Sequence, residues 1–196
     1  MIYCTSDTHF GHRKLCHSYD DHFEETRRYA TIDEMDEDII TTWNEFVTEE
    51  DTVIFLGDFV FGGPWDFKKQ RIIDLWSKLN GKKIWVIGNH DTVVLKHKDE
   101  FPDIEFVEEY HLSMDGVKYN FRHHPYNDDE ITSLDEVYAH GHTHSTNPWN
   151  GKQNCVCWDA WYAPVPVDAL KTPNELMAAE KEIGELLNSL NTNGDN

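Results

Sequence analysis

The sequence predicts an α/β fold in which polar residues cluster at the carboxyl ends of buried strands. Five short apolar runs are each followed by aspartate, asparagine or histidine, and helical repeats separate several of these runs. The clearest case is the run 83–87, which ends in Gly88-Asn89-His90-Asp91. Because open α/β sheets assemble their sites outside the carboxyl ends of the strands, we expect the five polar groups to form one site.

The other four polar groups repeat this arrangement, and each lies just past a segment with strand-like composition. They are Asp7-Thr8-His9 after residues 2–4, Gly57-Asp58 after 53–56, His123-His124 after 117–121, and Gly141-His142-Thr143-His144 after 137–139. One such group would mean little, but five in series are hard to obtain by accident.

Helix signals occupy the segments between these strands. Thr31 and Glu34 have the spacing of a capping box, and apolar residues recur at helical intervals as far as Val47. Further helices are predicted at 65–79, at 92–98, and from the capping box Thr172-Pro173-Asn174-Glu175 to about residue 190. Strands are predicted at 104–108, 110–114 and 154–160, the last ended by Pro164-Val165-Pro166.

Composition limits the class of protein. A chain of 196 residues with 39% apolar residues is expected to form one domain, 1–190, with a disordered tail, 191–196. The formal charge of −20 argues against a groove that follows nucleic-acid phosphates. We find no targeting or membrane segment and therefore expect a cytoplasmic protein. The cysteines match no common zinc motif, and we expect reduced packing residues at Cys4, Cys16, Cys155 and Cys157.

The polar groups supply only oxygen and imidazole donors. The candidate metal ligands are Asp7, His9, Asp58, Asn89, His123, His142 and His144. This set suits manganese, our expected ion, or iron, zinc, cobalt or nickel better than calcium. Seven ligands are too many for one tetrahedral ion and suit two divalent ions that share a bridging carboxylate. The resulting positive centre would attract a phosphate ester despite the acidic chain.

Several neighbouring polar residues are candidates for other roles. His90 is surplus to the metal ligands and is a candidate acid, with Asp91 placed to hold its tautomer. His140 is expected to be structural or to support a ligand. The candidate substrate contacts are Asn89, His12, Arg13, Arg122 and His124, although surface loops commonly carry such residues.

Taken together, these motifs resemble the full signature of calcineurin-like metallophosphoesterases in order and spacing. The resemblance rests on Asp7-Thr8-His9, Gly57-Asp58, Gly88-Asn89-His90-Asp91, His123 and Gly141-His142-Thr143-His144, and it covers residues 1 to about 170. The closing stretch Asp159-Ala160-Trp161 and Pro164-Val165 also looks like the end of compact bacterial and phage members.

The resemblance implies a four-layer αββα sandwich of two mixed β-sheets flanked by helices. It also implies how the ligands divide between two metal ions. His90 would assist the leaving oxygen, and Asp91 would orient the His90 ring. The first ion would be held by Asp7, His9, Asp58 and His144, and the second by Asp58, Asn89, His123 and His142.

The sequence departs from the family pattern at one motif. Family members commonly show His-Tyr-Pro there, whereas this chain has His123-His124-Pro125. Counting back from the proline makes His123 the ligand and leaves His124 to line the pocket. A shift of one residue would exchange these two roles.

The predicted function is hydrolysis of a small phosphate ester, with a phosphodiester slightly preferred, by attack of a metal-bound hydroxide. A phosphomonoesterase and a non-catalytic scaffold of the same fold remain alternatives. His90 and the two carboxylates favour the enzyme, because a scaffold needs no leaving-group acid. A nuclease, or any extended nucleic-acid binding, is not expected from the acidic charge. About fifteen residues separate His124 from His140, too few for a cap domain.

Overall fold

The first sheet supplies three of the five ligand-bearing strand ends. A computed structural model of the protein describes residues 1–16 and 27–192. Four neighbouring strands of this sheet run parallel, and the edge strand beside β1 is antiparallel. The strands are β1 (Ile2–Thr5), β2 (Thr52–Phe55), β3 (Lys82–Val86), β4 (Glu105–Val107) and β10 (Val165–Pro166), in the spatial order β10-β1-β2-β3-β4.

The second sheet supplies the other two ligand-bearing ends, those of β6 and β7. It is also mixed, because β6, β7 and β9 are parallel while the two outer strands are antiparallel. The strands are β5 (Glu109–Met114), β6 (Val117–Arg122), β7 (Val137–His140), β8 (Trp149–Asn150) and β9 (Gln153–Cys155), in the order β5-β6-β7-β9-β8.

Alternation along the strands divides the core into two layers. In β2, Val53 and Phe55 face a cluster shared with the helices, whereas Ile54 belongs to a second cluster with side chains of the other sheet. Successive side chains of a strand point to opposite faces, so a strand covered on both sides is apolar throughout. The second cluster, which includes Phe121 and Ala139, therefore joins the two sheets.

The helices α1 (Ile32–Phe46) and α2 (Trp65–Lys78) flank the first sheet, packing Met35, Ile39 and Ile72 against its outer cluster. Thr31 is confirmed as the N-cap of α1, since its side chain accepts a hydrogen bond from the Glu34 amide at 3.2 Å, whereas the Glu34 side chain accepts from the Ala30 amide. The predicted third helix forms as α3 (Thr92–Leu95), followed by a 3₁₀ turn at Lys98–Glu100. The expected architecture, two mixed sheets flanked by helices, is confirmed.

Two local predictions near the C-terminus were wrong. The predicted strand 154–160 ends at Cys155, because Val156 crosses between the sheets: its amide donates to His140 and its carbonyl accepts from Ser6. The chain then forms α4 (Trp158–Trp161). The Val165–Pro166 segment, expected to terminate a strand, instead forms the antiparallel edge strand β10, a position that tolerates proline.

The last helix, α5 (Pro173–Thr192), begins at the predicted capping box, where Thr172 and Glu175 bond each other. It includes residues 191 and 192, which we expected in a disordered tail, because neither proline nor glycine interrupts it after Gly184. The rest of the predicted tail, 193–196, lies outside the described residues. No helix in the described part of the chain is long and apolar enough to cross a membrane.

Candidate metal centre

The two sheets bring all seven predicted metal ligands into one continuous group. Asp58 lies at its middle: Asp58 Oδ2 is 3.6 Å from Nε2 of His9 and 3.5 Å from Nε2 of His123. These imidazoles come from different sheets, since His9 follows β1 and His123 follows β6. Asp58 is therefore the carboxylate placed between two sets of donors.

On one side of Asp58 lies a buried set of donors, which we call the buried half: Asp7, His9 and His144. Asp7 Oδ1 is 3.7 Å from Nε2 of both histidines, and the two Nε2 atoms are 3.0 Å apart. Asp7 and His9 are 0% and 2% exposed, and Asp7 Oδ1 is buried without a hydrogen-bond donor. A buried carboxylate oxygen with no donor is costly unless a cation satisfies it.

On the other side lies a set that opens to solvent, the open half: Asn89, His123 and His142. Asn89 Oδ1 is 2.8 Å from both Nε2 of His123 and Nδ1 of His142. His123 is buried, but Asn89 and His142 are exposed. The ring of His124 is also nearby, with its centroid 4.3 Å from that of His142.

These donors fit divalent metal ions. Oxygen and imidazole ligands lie about 2.0–2.2 Å from a zinc-sized ion, so two ligands on one ion are about 3.0–3.5 Å apart. The donor separations in both halves lie close to that range. Within the described residues, three such groups emerge: Asp7-His9-His144, Asp7-Asp58-His123 and His123-His124-His142.

The loops that carry the ligands are held in unusual backbone conformations. Five ligands have positive φ angles between 48° and 69°, a region that L-residues rarely occupy and that is typical of functional sites. These residues are Asp7, His9, Asp58, His142 and His144. The chain therefore turns sharply at the candidate ligands that follow β1, β2 and β7.

Glycines let these loops approach one another. A Cβ atom on Gly57 would lie 2.4 Å from the backbone nitrogen of Gly88, and one on Gly141 would lie 2.5 Å from Asp7 Oδ2. The glycines before Asp58, Asn89 and His142 are thus each required by a neighbouring motif. This close approach explains why Gly-Asp, Gly-Asn and Gly-His recur in the sequence.

The ring of His123 is oriented by the backbone. Its Nδ1 lies 2.7 Å from the carbonyl oxygen of Leu56, which accepts the Nδ1 proton and leaves Nε2 free to face Asp58 and Asn89. His124 is exposed on the rim. This geometry favours His123 as the ligand, which stays a prediction.

Asp91 has a different task from the one predicted for it. It is fully buried, and its carboxylate accepts hydrogen bonds from the backbone amides of Asp58, Phe59 and Gly88 and from the Trp85 indole, at 2.7–3.3 Å. Among the described contacts, none joins Asp91 to the His90 ring. Its position beside His90 in the sequence suggested an orienting role, but the carboxylate instead fixes the loop that carries Asp58.

His90 lies at the entrance to the site. Its Nε2 is 4.0 Å from Asp58 Oδ2, and its side chain is 45% exposed. The backbone is anchored on both sides: the His90 amide donates to Asp58 Oδ1 at 2.8 Å, and its carbonyl accepts from Lys68 Nζ at 3.0 Å. Burial and the Lys68 charge lower the pKa of His90.

The residues predicted to contact phosphate differ in their partners and exposure. Arg122 is not available for phosphate, because its guanidinium binds both oxygens of Glu130 and the carbonyls of His124 and Pro125. His12 stacks on Phe61, with ring centroids 3.7 Å apart. Burial, and to a smaller extent the nearby His9, lower the pKa of His12 to about 3. Arg13 is exposed beside it.

The pKa values of the two buried carboxylates, Asp58 and Asp7, are shifted in opposite directions. Burial raises the pKa of Asp58 to about 7; nearby His123 opposes this shift, while Asp91 and Asp7 add to it. The pKa of Asp7 is lowered: burial acts to raise it, but the nearby His9 ring and the charges of the other neighbouring imidazoles outweigh that effect. Bound cations would favour the ionised form of both carboxylates.

Three supporting residues escaped the sequence analysis. Arg27 and Asp159 form a buried ion pair behind the buried half, and Phe61 packs against His9, His12 and His90. Arg27 lies outside the five polar motifs, and Asp159 carried only the weak resemblance of the closing stretch. No periodic pattern marks either residue, so only their contacts in the fold reveal them.

A two-sheet α/β fold with a nitrogen and oxygen donor cluster at its strand ends is typical of metal-dependent hydrolases. The chain belongs to the calcineurin-like phosphoesterase family, whose model matches residues 1–180. The family typically binds a dimetal centre. The first sheet of the family fold thus carries Asp7, Asp58 and Asn89, as the sequence motifs predicted.

Two relatives cover most of the chain. An uncharacterized protein of Methanocaldococcus jannaschii is 31% identical over 181 residues, covering 86% of this chain and 88% of that protein. The gene 66 protein of Mycobacterium phage D29 is 29% identical over 202 residues, covering 87% and 94%. The crystal structure of a protein of unknown function from Aquifex aeolicus aligns with a TM-score of 0.56 and 21% identity, covering 95% of this chain and 98% of that one.

Proposed function

We propose that the protein is a dimetal-dependent hydrolase of small phosphate esters, with phosphodiesters preferred over monoesters. The observation that carries this proposal is the position of Asp58, whose Oδ2 atom lies 3.5–3.6 Å from imidazoles of both halves. A carboxylate in that position can be shared by two ions. The site then has the donors for two ions and one bridge.

The residues present would hold one ion in the buried half and one in the open half, with Asp58 between them. When bound, two such ions would supply Lewis-acid activation of water and charge stabilisation for phosphoryl transfer. Manganese is our preferred ion, because oxygen and imidazole donors without thiolate suit it. Iron, zinc, cobalt and nickel are the alternatives.

His90 is the proposed acid for the leaving oxygen. It projects from the loop that also carries Asn89, yet its ring stays outside the close donor contacts of the open half. A histidine held at the entrance can donate a proton from Nε2 to an oxygen that leaves the phosphorus. The anchors to Asp58 and Lys68 hold its backbone in place.

A small substrate fits the surroundings of the site. Part of the loop after His124 packs on the second sheet, where Tyr126 and Gln153 bond each other and Ser133 bonds Tyr138. With 17 basic and 37 acidic residues, the chain offers few contacts to a long phosphate backbone. The proposed contacts to one phosphate are Asn89, His12, Arg13 and His124.

The test is an ester panel with the manganese-loaded protein and its Asp58→Asn variant. We expect bis-nitrophenyl phosphate to be turned over faster than nitrophenyl phosphate, with a KM that depends weakly on salt. Asp58→Asn should lose one ion and nearly all turnover, because the shared carboxylate is removed. Asp115→Asn is the matched control, since Asp115 is an exposed aspartate with a similar φ of 50°, against 60° for Asp58.

Each other result points to one alternative. Faster monoester hydrolysis would make the protein a phosphomonoesterase. A steep salt dependence on DNA or RNA, with a slope of about 0.9 per phosphate contact on duplex DNA, would make it a nuclease. Two bound ions without turnover of any ester would favour the scaffold. Normal activity and metal content in Asp58→Asn would remove Asp58 as the bridge.

The cytoplasm is the proposed location. All four cysteines are buried free thiols, which is compatible with a reducing compartment. Fractionation of the native host cells with an antibody to the chain would test this assignment.

A further inference from the structure

A buried arginine–aspartate pair lies directly behind the buried half. The Arg27 side chain is fully buried and binds the Asp159 carboxylate with two parallel hydrogen bonds, from Nε at 2.9 Å and from Nη2 at 3.0 Å. Such a pair loses its hydration on folding, and apolar side chains of similar volume often serve stability equally well. Because stability alone does not require this pair, we look for its role in its other contacts.

The first of these contacts is to a candidate metal ligand. Asp159 Oδ2 is 3.0 Å from Nδ1 of His144, so the carboxylate accepts the Nδ1 proton. The other ring nitrogen, Nε2, then presents its lone pair toward His9 and Asp7. Ligating histidines commonly have such a carboxylate partner, which fixes the tautomer and the ring orientation.

The second set of contacts is to the loop after β1. Arg27 Nη1 donates to the carbonyl of Thr8 at 2.7 Å, and Nη2 donates to the carbonyl of Asp7. This loop holds Asp7 and His9 at φ angles of 56° and 48°. One guanidinium thus binds the loop that carries two candidate ligands, at the carbonyls of Asp7 and Thr8, and, through Asp159, the side chain of a third.

We propose that Arg27 and Asp159 are positioning residues for the metal ion of the buried half. Arg27 holds the Asp7–His9 loop and Asp159, and Asp159 sets the tautomer of His144. This inference rests on the proposed function only for the presence of the metal site. It assigns the two residues no contact with the substrate.

Asp159→Asn is the informative variant, because it retains the size of the side chain. Asparagine has one carbonyl oxygen, which the buried Arg27 would bind, leaving the amide NH₂ facing His144 Nδ1. The ring proton would then move to Nε2, the atom that should bind the ion. We expect affinity for this ion to fall by about 10–100-fold.

Two measurements without substrate test the proposal. Proton–nitrogen correlation spectra of the metal-free protein should show His144 protonated at Nδ1 in the wild type and at Nε2 in Asp159→Asn. Titration with Zn²⁺ alone, followed through the ring signals of His144 and His123, should show weaker binding in the buried half and unchanged binding in the open half. A failure to hydrolyse any ester would leave both measurements intact.

A matched control separates positioning from general stability. Arg122 and Glu130 form another bidentate pair, away from His144, so Glu130→Gln should leave the His144 tautomer and the buried-half affinity unchanged. Arg27→Lys retains the charge but cannot bind Asp159 bidentately, and it should cause a smaller loss for the same ion. It also serves as the test if Asp159→Asn does not fold.

The proposal is overturned if the tested variant has a lower melting temperature but keeps the wild-type tautomer and zinc affinity. It is also overturned if both ions weaken equally, because that result would describe a general loss of structure.

Discussion

The two halves of the metal centre differ in how they are supported. In the buried half, Asp7 and His9 are almost inaccessible, and the ring of His144 is backed by the buried Arg27–Asp159 pair. In the open half, Asn89 and His142 are exposed, and their described side-chain bonds are to one another and to His123. We therefore expect the buried half to bind its ion tightly and the open half to exchange its ion and meet the substrate.

The difference follows from what covers each half. Asp7 follows β1, which lies between β10 and β2, and α4 begins beyond the end of β1. Asn89 and His142 lie in the loops after β3 and β7, where their side chains are exposed. A site built in this way can be rigid on one side and accessible on the other.

The largest expected effect is a loss of turnover when His90, at the entrance to the site, is replaced. His90→Asn should retain both ions but lower kcat by about 10²–10⁴-fold, because a positioned acid is removed. The loss should be smaller for nitrophenyl esters, whose leaving groups need no proton. His111→Asn, at an exposed site on β5, is the control. Equal losses on good and poor leaving groups would contradict the acid role.

The next effect distinguishes the two adjacent histidines of the open half. His123→Ala should lower the affinity of the open-half ion at least tenfold, because His123 Nε2 lies beside Asn89 Oδ1 and Asp58 Oδ2. His124→Ala should keep both ions and change KM. Calorimetric titration with Mn²⁺ and steady-state kinetics would measure these effects. The reverse pattern would show that the motif register is displaced by one residue.

The smallest effect concerns the loop that follows the open half. Arg122 and then the Asn127 amide lower the pKa of Glu130 to about 2, below its ordinary value near 4.3. The pair therefore stabilises the fold above about pH 4.3, and this contribution disappears as the pH falls toward 2.

Glu130→Gln should thus lower the melting temperature of the metal-free protein at pH 7 by less than about 4 °C, and by nearly nothing at pH 2. Thermal unfolding followed by circular dichroism measures this shift, with exposed Glu182→Gln as the control. A shift that persists at pH 2 would show that the carboxylate charge is not responsible.

The candidate ligands could be predicted from the sequence because each follows a strand with a clear apolar pattern. The capping boxes of α1 and α5 were equally readable, because their signals span four residues. Strand ends, glycines and caps are local features, so the fold class and the candidate ligands could be predicted together.

The supporting residues were not readable, because their partners are distant in the sequence. Asp91 is next to His90 but bonds the amide of Asp58, 33 residues away, and Arg27 bonds Asp159 across 132 residues. Arg122 was expected to contact phosphate because it precedes His123, yet Glu130 neutralises it. Such roles depend on how the loops pack, which no local pattern records.

Asp58 is proposed to bridge two ions, and anomalous diffraction from manganese-soaked crystals would locate both ions directly. We expect two anomalous peaks about 3.5–4 Å apart, one in each half, both in contact with the Asp58 carboxylate. A single peak, or two peaks of which only one touches Asp58, would contradict it.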